Sequence, residues 1–267
     1  MGDYFEGQSQ ATTHHGDVEL DPNILACLPQ NCRVISCKGH GASNWNQTAR
    51  LDIETTGDDG TQRRESYFLK LVTGPNGRGM VHGEYESMFL IHETIPKFAA
   101  RPLAWGACTE PDKHYILFSF HELAPGLPDV DNFAHAVSQL HSLTSGASPN
   151  GKFGFHVTTF NGTLPQDNTW TDTWEEFYIR GMRRMFQLEE KAHGPSEELS
   201  ALVRPFLEVV IPRLLRPMET AGRCIKPVLI HGDLWIGNVS TEPNTKSPIM
   251  FDASAFWGHH ECKLSTQ

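Results

Sequence analysis

Pro227-Val228-Leu229-Ile230-His231-Gly232-Asp233-Leu234-Trp235-Ile236-Gly237-Asn238 is the stretch on which the reading of this chain turns. A short apolar run, suited to a buried strand, passes directly into a polar loop carrying Asp233 and Asn238 five residues apart. A second apolar run, Pro248-Ile249-Met250-Phe251, ends at Asp252. Phosphoryl transfer needs a carboxylate beside the attacking hydroxyl, an amide oxygen for Mg²⁺, and a second carboxylate on the metal that bridges the nucleotide phosphates. Asp233, Asn238 and Asp252 supply one of each, in the order found in the catalytic loop and metal-binding segment of protein kinases. Singly, each reads as a turn, a cap or a strand end. Together they point to a kinase-type centre with Asp233 as the catalytic carboxylate and Asn238 and Asp252 as Mg²⁺ ligands.

Such a centre requires a nucleotide clamp, and the N-terminal half has the pieces. Arg33–Ser36, Thr48–Glu54 and Tyr67–Val72 alternate apolar and polar residues, which predicts three antiparallel strands. Lys70 sits on the third, where its amine can reach the nucleotide phosphates. Residues 81–93 change to helical spacing before Pro96, and Glu84 on that helix is the expected partner of Lys70, with Glu86 the competitor. Gly39 and Gly41, between the first two strands, can offer backbone N–H groups to phosphates. Two further strands are expected at 102–107 and 114–118, giving a β-β-β-α-β-β order. No G-x-x-x-x-G-K-[ST] occurs, which excludes the P-loop route.

Beyond Ala124-Pro125-Gly126-Leu127-Pro128 helical patterns dominate, over 132–143, 173–191 and 197–220. The expected division is therefore a loose arm over residues 1–30, a nucleotide lobe over 31–124 and a catalytic, acceptor-binding lobe over 125–267. In the second helix Trp174, Phe177, Tyr178, Met182, Met185 and Phe186 recur at three- and four-residue intervals and read as core. The connection from Ser145 to Asp172 exceeds ordinary loop lengths, which marks it as a candidate functional loop.

Composition narrows the class. With 267 residues, 39% hydrophobic and 20% charged, the chain suits one large or two small globular domains. A formal net charge of −10 repels a phosphate backbone, so no nucleic-acid partner is expected. No run approaches the about 18 apolar residues of a membrane span, and the N-terminus lacks a signal peptide's basic and apolar regions. Six cysteines without a C-x-x-C read as reduced thiols, and a cytoplasmic monomer is expected. Serine-hydrolase G-x-S-x-G and zinc-hydrolase H-E-x-x-H motifs are absent.

The chain resembles the fructosamine-3-kinase family, the ketosamine kinases that include protein-ribulosamine 3-kinases, within the aminoglycoside phosphotransferase clan. The resemblance rests on Lys152-Phe153-Gly154-Phe155-His156, Asn168-Thr169-Trp170, His231–Asn238 and Phe251–Glu261, and runs from about residue 33 to 264. It implies an α+β, bilobal protein-kinase-like fold, with an antiparallel-sheet N-lobe and a mostly helical C-lobe. It implies ATP- and Mg²⁺-dependent phosphorylation of the 3-hydroxyl of ketosamines, on glycated proteins or small molecules, as a deglycation repair. On that likeness Trp235 walls the sugar pocket, His231 belongs to the substrate site, and Phe120, His121 and Glu122 hold adenine through backbone groups. The Lys152–His156 loop is expected over the acceptor. The family continues for several dozen residues beyond the position of Leu264, so a shortened larger lobe is expected, and a catalytically weak truncated pseudokinase is an alternative that the presence of all five key residues argues against. The competing acceptor is an aminoglycoside or a free sugar; an acidic rather than a neutral pocket around Trp235 would favour it.

Overall fold

Alternating burial along Cys32–Gly39, Gln47–Thr56 and Gln62–Thr73 builds the first three strands of a five-stranded antiparallel sheet, completed by Lys113–Ser119 and the edge strand Pro102–Ala107. The computed structural model describes residues 12–13, 15–43, 46–57 and 59–262. Two compact units divide it: one takes the chain up to residue 85 together with residues 100–122, the other takes residues 86–99 and those from 123 on. The second half of helix α2 (Gly77–Thr94) thus belongs with the larger unit, a division that the expected break at 124 does not contain. The architecture is α+β, as the resemblance implies.

In the smaller unit, the period of two sorts the sheet's residues onto its faces. Leu51, Ile53, Leu69, Leu71 and Leu117 are buried in one cluster. Lys70, between Leu69 and Leu71, must point to the opposite face. Residues 15–30 differ from the loose arm expected over 1–30. Val18 donates to the Cys37 carbonyl at 2.9 Å, and Asp17 bridges to Lys38 along the sheet edge. Asp21 then caps the short helix α1 (Pro22–Leu25), and its other carboxylate oxygen accepts from the Thr109 amide at 2.7 Å. The reason is burial: Ile24 and Leu28 close the same cluster as the strands. Residues 1–11 lie outside the described part.

In the larger unit, α3 (Val130–Thr144) starts at an Asp129 cap and buries Ala136, Val137 and Leu140. Its last residue, Thr144, accepts from the Leu229 amide at 3.0 Å, which fixes the helix to strand Val228–Ile230. Helix α4 (Trp174–His193) is capped by Thr173, and the Glu219 carboxylate accepts from the Trp174 amide at 2.9 and 3.0 Å, a negative charge at the positive helix end. The single helix expected over 197–220 is broken into α5 (Glu197–Pro205), a π turn at Phe206–Val210, α6 (Ile211–Leu215) and a 3₁₀ turn. Pro205, Pro212 and Pro217 each withdraw a backbone donor, and the ladder shifts register around them. Among the described residues no helix is long and apolar enough to cross a membrane.

The packed segment at residues 15–30 has a measurable consequence. Ile24→Ala should cost about 2–5 kcal/mol in denaturant unfolding, whereas Leu25→Ala, at a 44% exposed position, should stay within about 0.5 kcal/mol. Equal, small effects would mean that the segment is not packed.

Candidate active site

The sequence around Asp233 is held by backbone, not by side-chain packing alone. Strand Val228–Ile230 pairs antiparallel with Phe256–Gly258, and Val239–Thr241 pairs with Pro248–Met250. Residues 231–238 and 251–255 are therefore two loops leaving two small ladders side by side. They are stitched together: Ser254 donates to the His231 carbonyl at 2.9 Å and Phe251 to the Asn238 carbonyl at 3.1 Å. Gly232, at φ +83°, sits so close that a Cβ there would lie 1.9 Å from the Ser254 carbonyl oxygen. Only glycine satisfies both the left-handed backbone and that approach.

His231 is 1% exposed and lies inside the stitching. Its Nδ1 accepts from the Asp233 amide at 3.4 Å, which assigns the proton to Nε2, and Nε2–H donates to the Phe251 carbonyl at 3.0 Å. The expected substrate contact is replaced by a strut between the two loops, since a side chain so buried has little surface to offer a ligand. Asn238, 6% exposed, donates through Nδ2 to the Asp233 carbonyl at 2.8 Å and to Asp233 Oδ2 at 3.0 Å. That commits the NH₂ end of the amide and turns Oδ1 the other way. Asp252 is exposed and left-handed, at φ +59°. One amide oxygen and one carboxylate suit a hard cation that keeps waters and phosphate oxygens as its remaining ligands, the habit of Mg²⁺. Among the described residues no cluster of three or more His, Cys, Asp or Glu side chains could hold a metal alone.

Asp233 and Trp235 line a cavity of about 290 Å³ together with Asn161, Gln166, Tyr178 and Met182. Trp235 is 45% exposed and covers Gly237, where a Cβ would come within 2.4 Å of the indole. Among the described residues the acidic groups in the lining are Asp233 and Asp167, and Asp167 pairs with Arg180 at 3.3 Å. Burial opposes ionisation of Asp167, but hydrogen bonds from Thr169 and the charge of Arg180 hold its carboxyl below the usual range. The cavity is mixed, with aromatic and thioether walls (Trp174, Phe177, Tyr178, Met182, Met185, Trp235) and a few polar groups, and close to neutral apart from Asp233.

The Lys152–His156 loop is not part of this lining. Phe153 and Phe155 are 2% and 3% exposed, Phe153 is hydrogen-bonded both ways with Thr171, and Gly154 likewise with Trp257. The loop is a buried staple of the long connection. Farther along that connection, Asn161, Gln166, Asp167 and Asn168 supply polar groups to the cavity lining. Gln166 Nε2 donates to the Thr159 hydroxyl and the Ser254 carbonyl, both at 3.0 Å. Tyr178, Met182 and Met185, read as core from their spacing, line the cavity. Helical periodicity identifies a covered face but not whether protein or ligand covers it, so the pattern could not separate the two.

In the smaller unit, Lys70 is 4% exposed and its Nζ lies 2.6 Å from Glu84 Oε1. Glu86 instead meets His156 Nε2 at 2.9 Å, in the larger unit. Of the glycines between the first two strands, Gly39 donates its amide to the Gly16 carbonyl at 2.8 Å, which takes it out of a phosphate-binding role. Gly41 is exposed and left-handed, at φ +81°, and residues 44–45 lie outside the described part. Phe120 donates its amide to the Ser66 carbonyl, so that group is not the adenine donor. Its ring packs edge-on to His40 at 5.1 Å and under the Arg50 guanidinium at 4.4 Å. His121 Nε2 meets the Ser119 hydroxyl, and the Glu122 carboxylate pairs with Arg50 at 2.8 Å.

The strand-to-loop arrangement of Asp233, Asn238 and Asp252, together with the five-stranded sheet carrying Lys70, defines a kinase-like fold. A Haemophilus somnus 129PT crystal structure named "Putative fructosamine-3-kinase" superposes with a TM-score of 0.63 at 18% identity, over 86% of this chain and 69% of that one. A ternary complex of the aminoglycoside phosphotransferase APH(4)-Ia with ADP and hygromycin B gives 0.51 at 14% identity, over 85% and 70%. The fructosamine kinase profile matches residues 44–267, and the chain belongs to that family. It is 41% identical over 115 residues to a ketosamine-3-kinase of Mus musculus, covering 43% of this chain and 34% of the relative. To a chloroplastic protein-ribulosamine 3-kinase of Oryza sativa it is 27% identical over 207 residues, covering 74% and 55%. The chain thus spans between about a third and just over half of the length of these curated relatives.

Two substitutions test the geometry. Gly232→Ala should unfold the 231–238 loop or cost more than about 3 kcal/mol in stability, read by thermal melting, because its Cβ meets backbone that cannot move aside. Glu84→Ala, which strips a buried ammonium of this carboxylate, should cost about 3–5 kcal/mol, and the double change Lys70→Met, Glu84→Leu should recover most of it. A double variant no more stable than Glu84→Ala would contradict the buried-pair reading.

Proposed function

We propose that the chain is an ATP-dependent kinase that phosphorylates the 3-hydroxyl of ketosamines, ribulosamine or fructosamine groups on lysines of glycated proteins or on small amines, as a deglycation repair. The observation that carries this reading is the cavity at Asp233: aromatic and polar by turns, walled by Trp235, with its other acidic group, Asp167, paired with Arg180. A polyhydroxylated sugar suits it. A polycationic aminoglycoside would call for more acidic groups than the lining holds.

In this reading each unit has its part. In the larger one, Asp233 takes the proton of the attacking hydroxyl or orients it, with one carboxylate oxygen fixed by Asn238. Trp235 packs on the sugar. His231 is a positioning residue, because it ties the Asp233 amide to the segment that ends at Asp252. Asn238 Oδ1 and the Asp252 carboxylate hold Mg²⁺, which when bound neutralises charge on the nucleotide phosphates. In the smaller unit, Lys70 contacts the phosphates and Glu84 keeps its amine in place; Gly41 offers a backbone donor there. Adenine is held near Phe120–Glu122, with Glu122 rather than Phe120 supplying backbone groups. A reducing compartment such as the cytoplasm suits the six free cysteines, and the chain acts as a monomer.

The test is transfer of labelled phosphate from Mg-ATP to ribulosyl-lysine and fructosyl-lysine peptides. Asp233→Asn should lower the rate at least about 10²-fold while leaving the melting temperature near that of the wild type. A folded, ATP-binding wild-type chain that labels neither peptide would overturn the assignment.

A further inference from the structure

The acceptor cavity shares two of its residues with a second opening. Gln166 and Asp167 also line a groove of about 580 Å³, whose other walls include Thr158, Arg180, Arg183 and Arg184. In a chain with a formal charge of −10, three arginines in five residues of α4 reverse the local sign. Helical spacing puts Arg180, Arg183, Arg184 and Gln187 on one face. The nearest acidic residues along that face, Glu176 and Glu190, do not line the groove.

The groove's one acidic group does not saturate these cations. Asp167 accepts from the Thr169 hydroxyl at 2.6 Å and the Thr169 amide at 3.1 Å. Its bonds from Arg180 are 3.3 and 3.5 Å, longer than the about 2.7–2.9 Å of a strong guanidinium–carboxylate pair. Arg180 Nε is buried and has no hydrogen-bond partner. A planar guanidinium in that condition is completed by a ligand that brings two oxygens at once. Arg183 is exposed and Arg184 half-buried, so both are within reach of a solute entering the groove.

We propose that this groove is an anion subsite of the acceptor site: it binds a carboxylate or phosphate group carried by the acceptor molecule beside its ketosamine. The inference rests on the proposed function, since it is the sharing of Gln166 and Asp167 with the Asp233 cavity that makes the groove an extension of the acceptor site. Two sources offer that chemistry, the α-carboxylate of a free ketosamine-modified lysine and an acidic side chain flanking a modified lysine in a protein. Ketosamines beside acidic residues are then the preferred substrates, and those in basic surroundings are disfavoured.

The experiment compares matched acceptors on the wild-type chain and on Arg183→Glu/Arg184→Glu, with Arg183→Gln/Arg184→Gln as a milder second variant and melting curves for all three. Ribulosyl-lysine peptides flanked by Glu, Ala or Arg test the protein source; free Nε-ribulosyl-lysine against its carboxamide tests the small-molecule source. The anion-bearing member should have a kcat/KM about tenfold higher in at least one arm, and the preference should vanish or invert in the Glu variant. Equal values in both arms, with transfer intact, would overturn the subsite and leave the kinase assignment standing. Calorimetric titration with the unmodified Glu-flanked lysine peptide separates the two claims. Binding at least about tenfold weaker in the variants supports the subsite even if nothing is phosphorylated, in which case the kinase assignment alone fails. Equal binding to wild type and variants, or none to wild type, sinks the subsite.

Discussion

The near-contact between Gly232 and the Ser254 carbonyl is the constraint on which the catalytic arrangement depends. Two loops that are distant in sequence leave adjacent two-stranded ladders, and each carries groups proposed for phosphoryl transfer. They can be stitched by backbone hydrogen bonds only if their main chains approach closely, and a side chain at position 232 would forbid that approach. The bonds from Ser254 to His231 and from Phe251 to Asn238 then fix the loops on both sides of Asp252. His231 adds an imidazole between them. A metal or phosphate site built here draws its precision from main-chain geometry, which side-chain rearrangement cannot easily relax.

The polar groups of the Asp233 cavity are supported in the same way. Thr159 is fully buried and Asn168 nearly so; Asn168 Nδ2 donates to the Thr159 hydroxyl at 2.7 Å, and Gln166 Nε2 ties that hydroxyl to the Ser254 carbonyl. One backbone oxygen therefore meets both the tight turn at Gly232 and the segment that lines the Asp233 cavity. In the smaller unit the equivalent fixed element is the Lys70–Glu84 pair, set by the alternation of the strand that carries Lys70. Buried ion pairs contribute little net stability, because desolvation offsets attraction. Placement of a cation gives such a pair a functional use.

Much of this was legible in the residues. Strand alternation and the change to helical spacing after the third strand gave the order β-β-β-α-β-β, and the preference for Glu84 over Glu86 followed from helix facing. What escaped was whatever depends on partners remote in sequence. Residues 15–30 look polar and loose, yet Ile24 and Leu28 complete the sheet's core. Prolines 205, 212 and 217 were present in the sequence but did not by themselves say whether the helix would kink, widen or stop. The resemblance puts His231 in the substrate site, while its burial and its bonds to the Asp233 amide and the Phe251 carbonyl make it a strut. Phe153 and Phe155 of the Lys152–His156 segment are buried, and the segment lies outside the lining of the Asp233 cavity, because a run of aromatic residues marks a covered surface without saying what covers it.

The central claim is that Asn238 and Asp252, held by interlocked loops, form a divalent-metal site that works with a nucleotide. Electron paramagnetic resonance of Mn²⁺ titrated into the chain with ADP tests it directly, with free Mn²⁺ read from its six-line signal. The account predicts tight, ADP-dependent Mn²⁺ uptake by the wild type that is lost in Asp252→Ala and in Asn238→Ala, at unchanged melting temperature for the exposed Asp252 position. Mn²⁺ and ADP bound equally well by wild type and Asp252→Ala would contradict it.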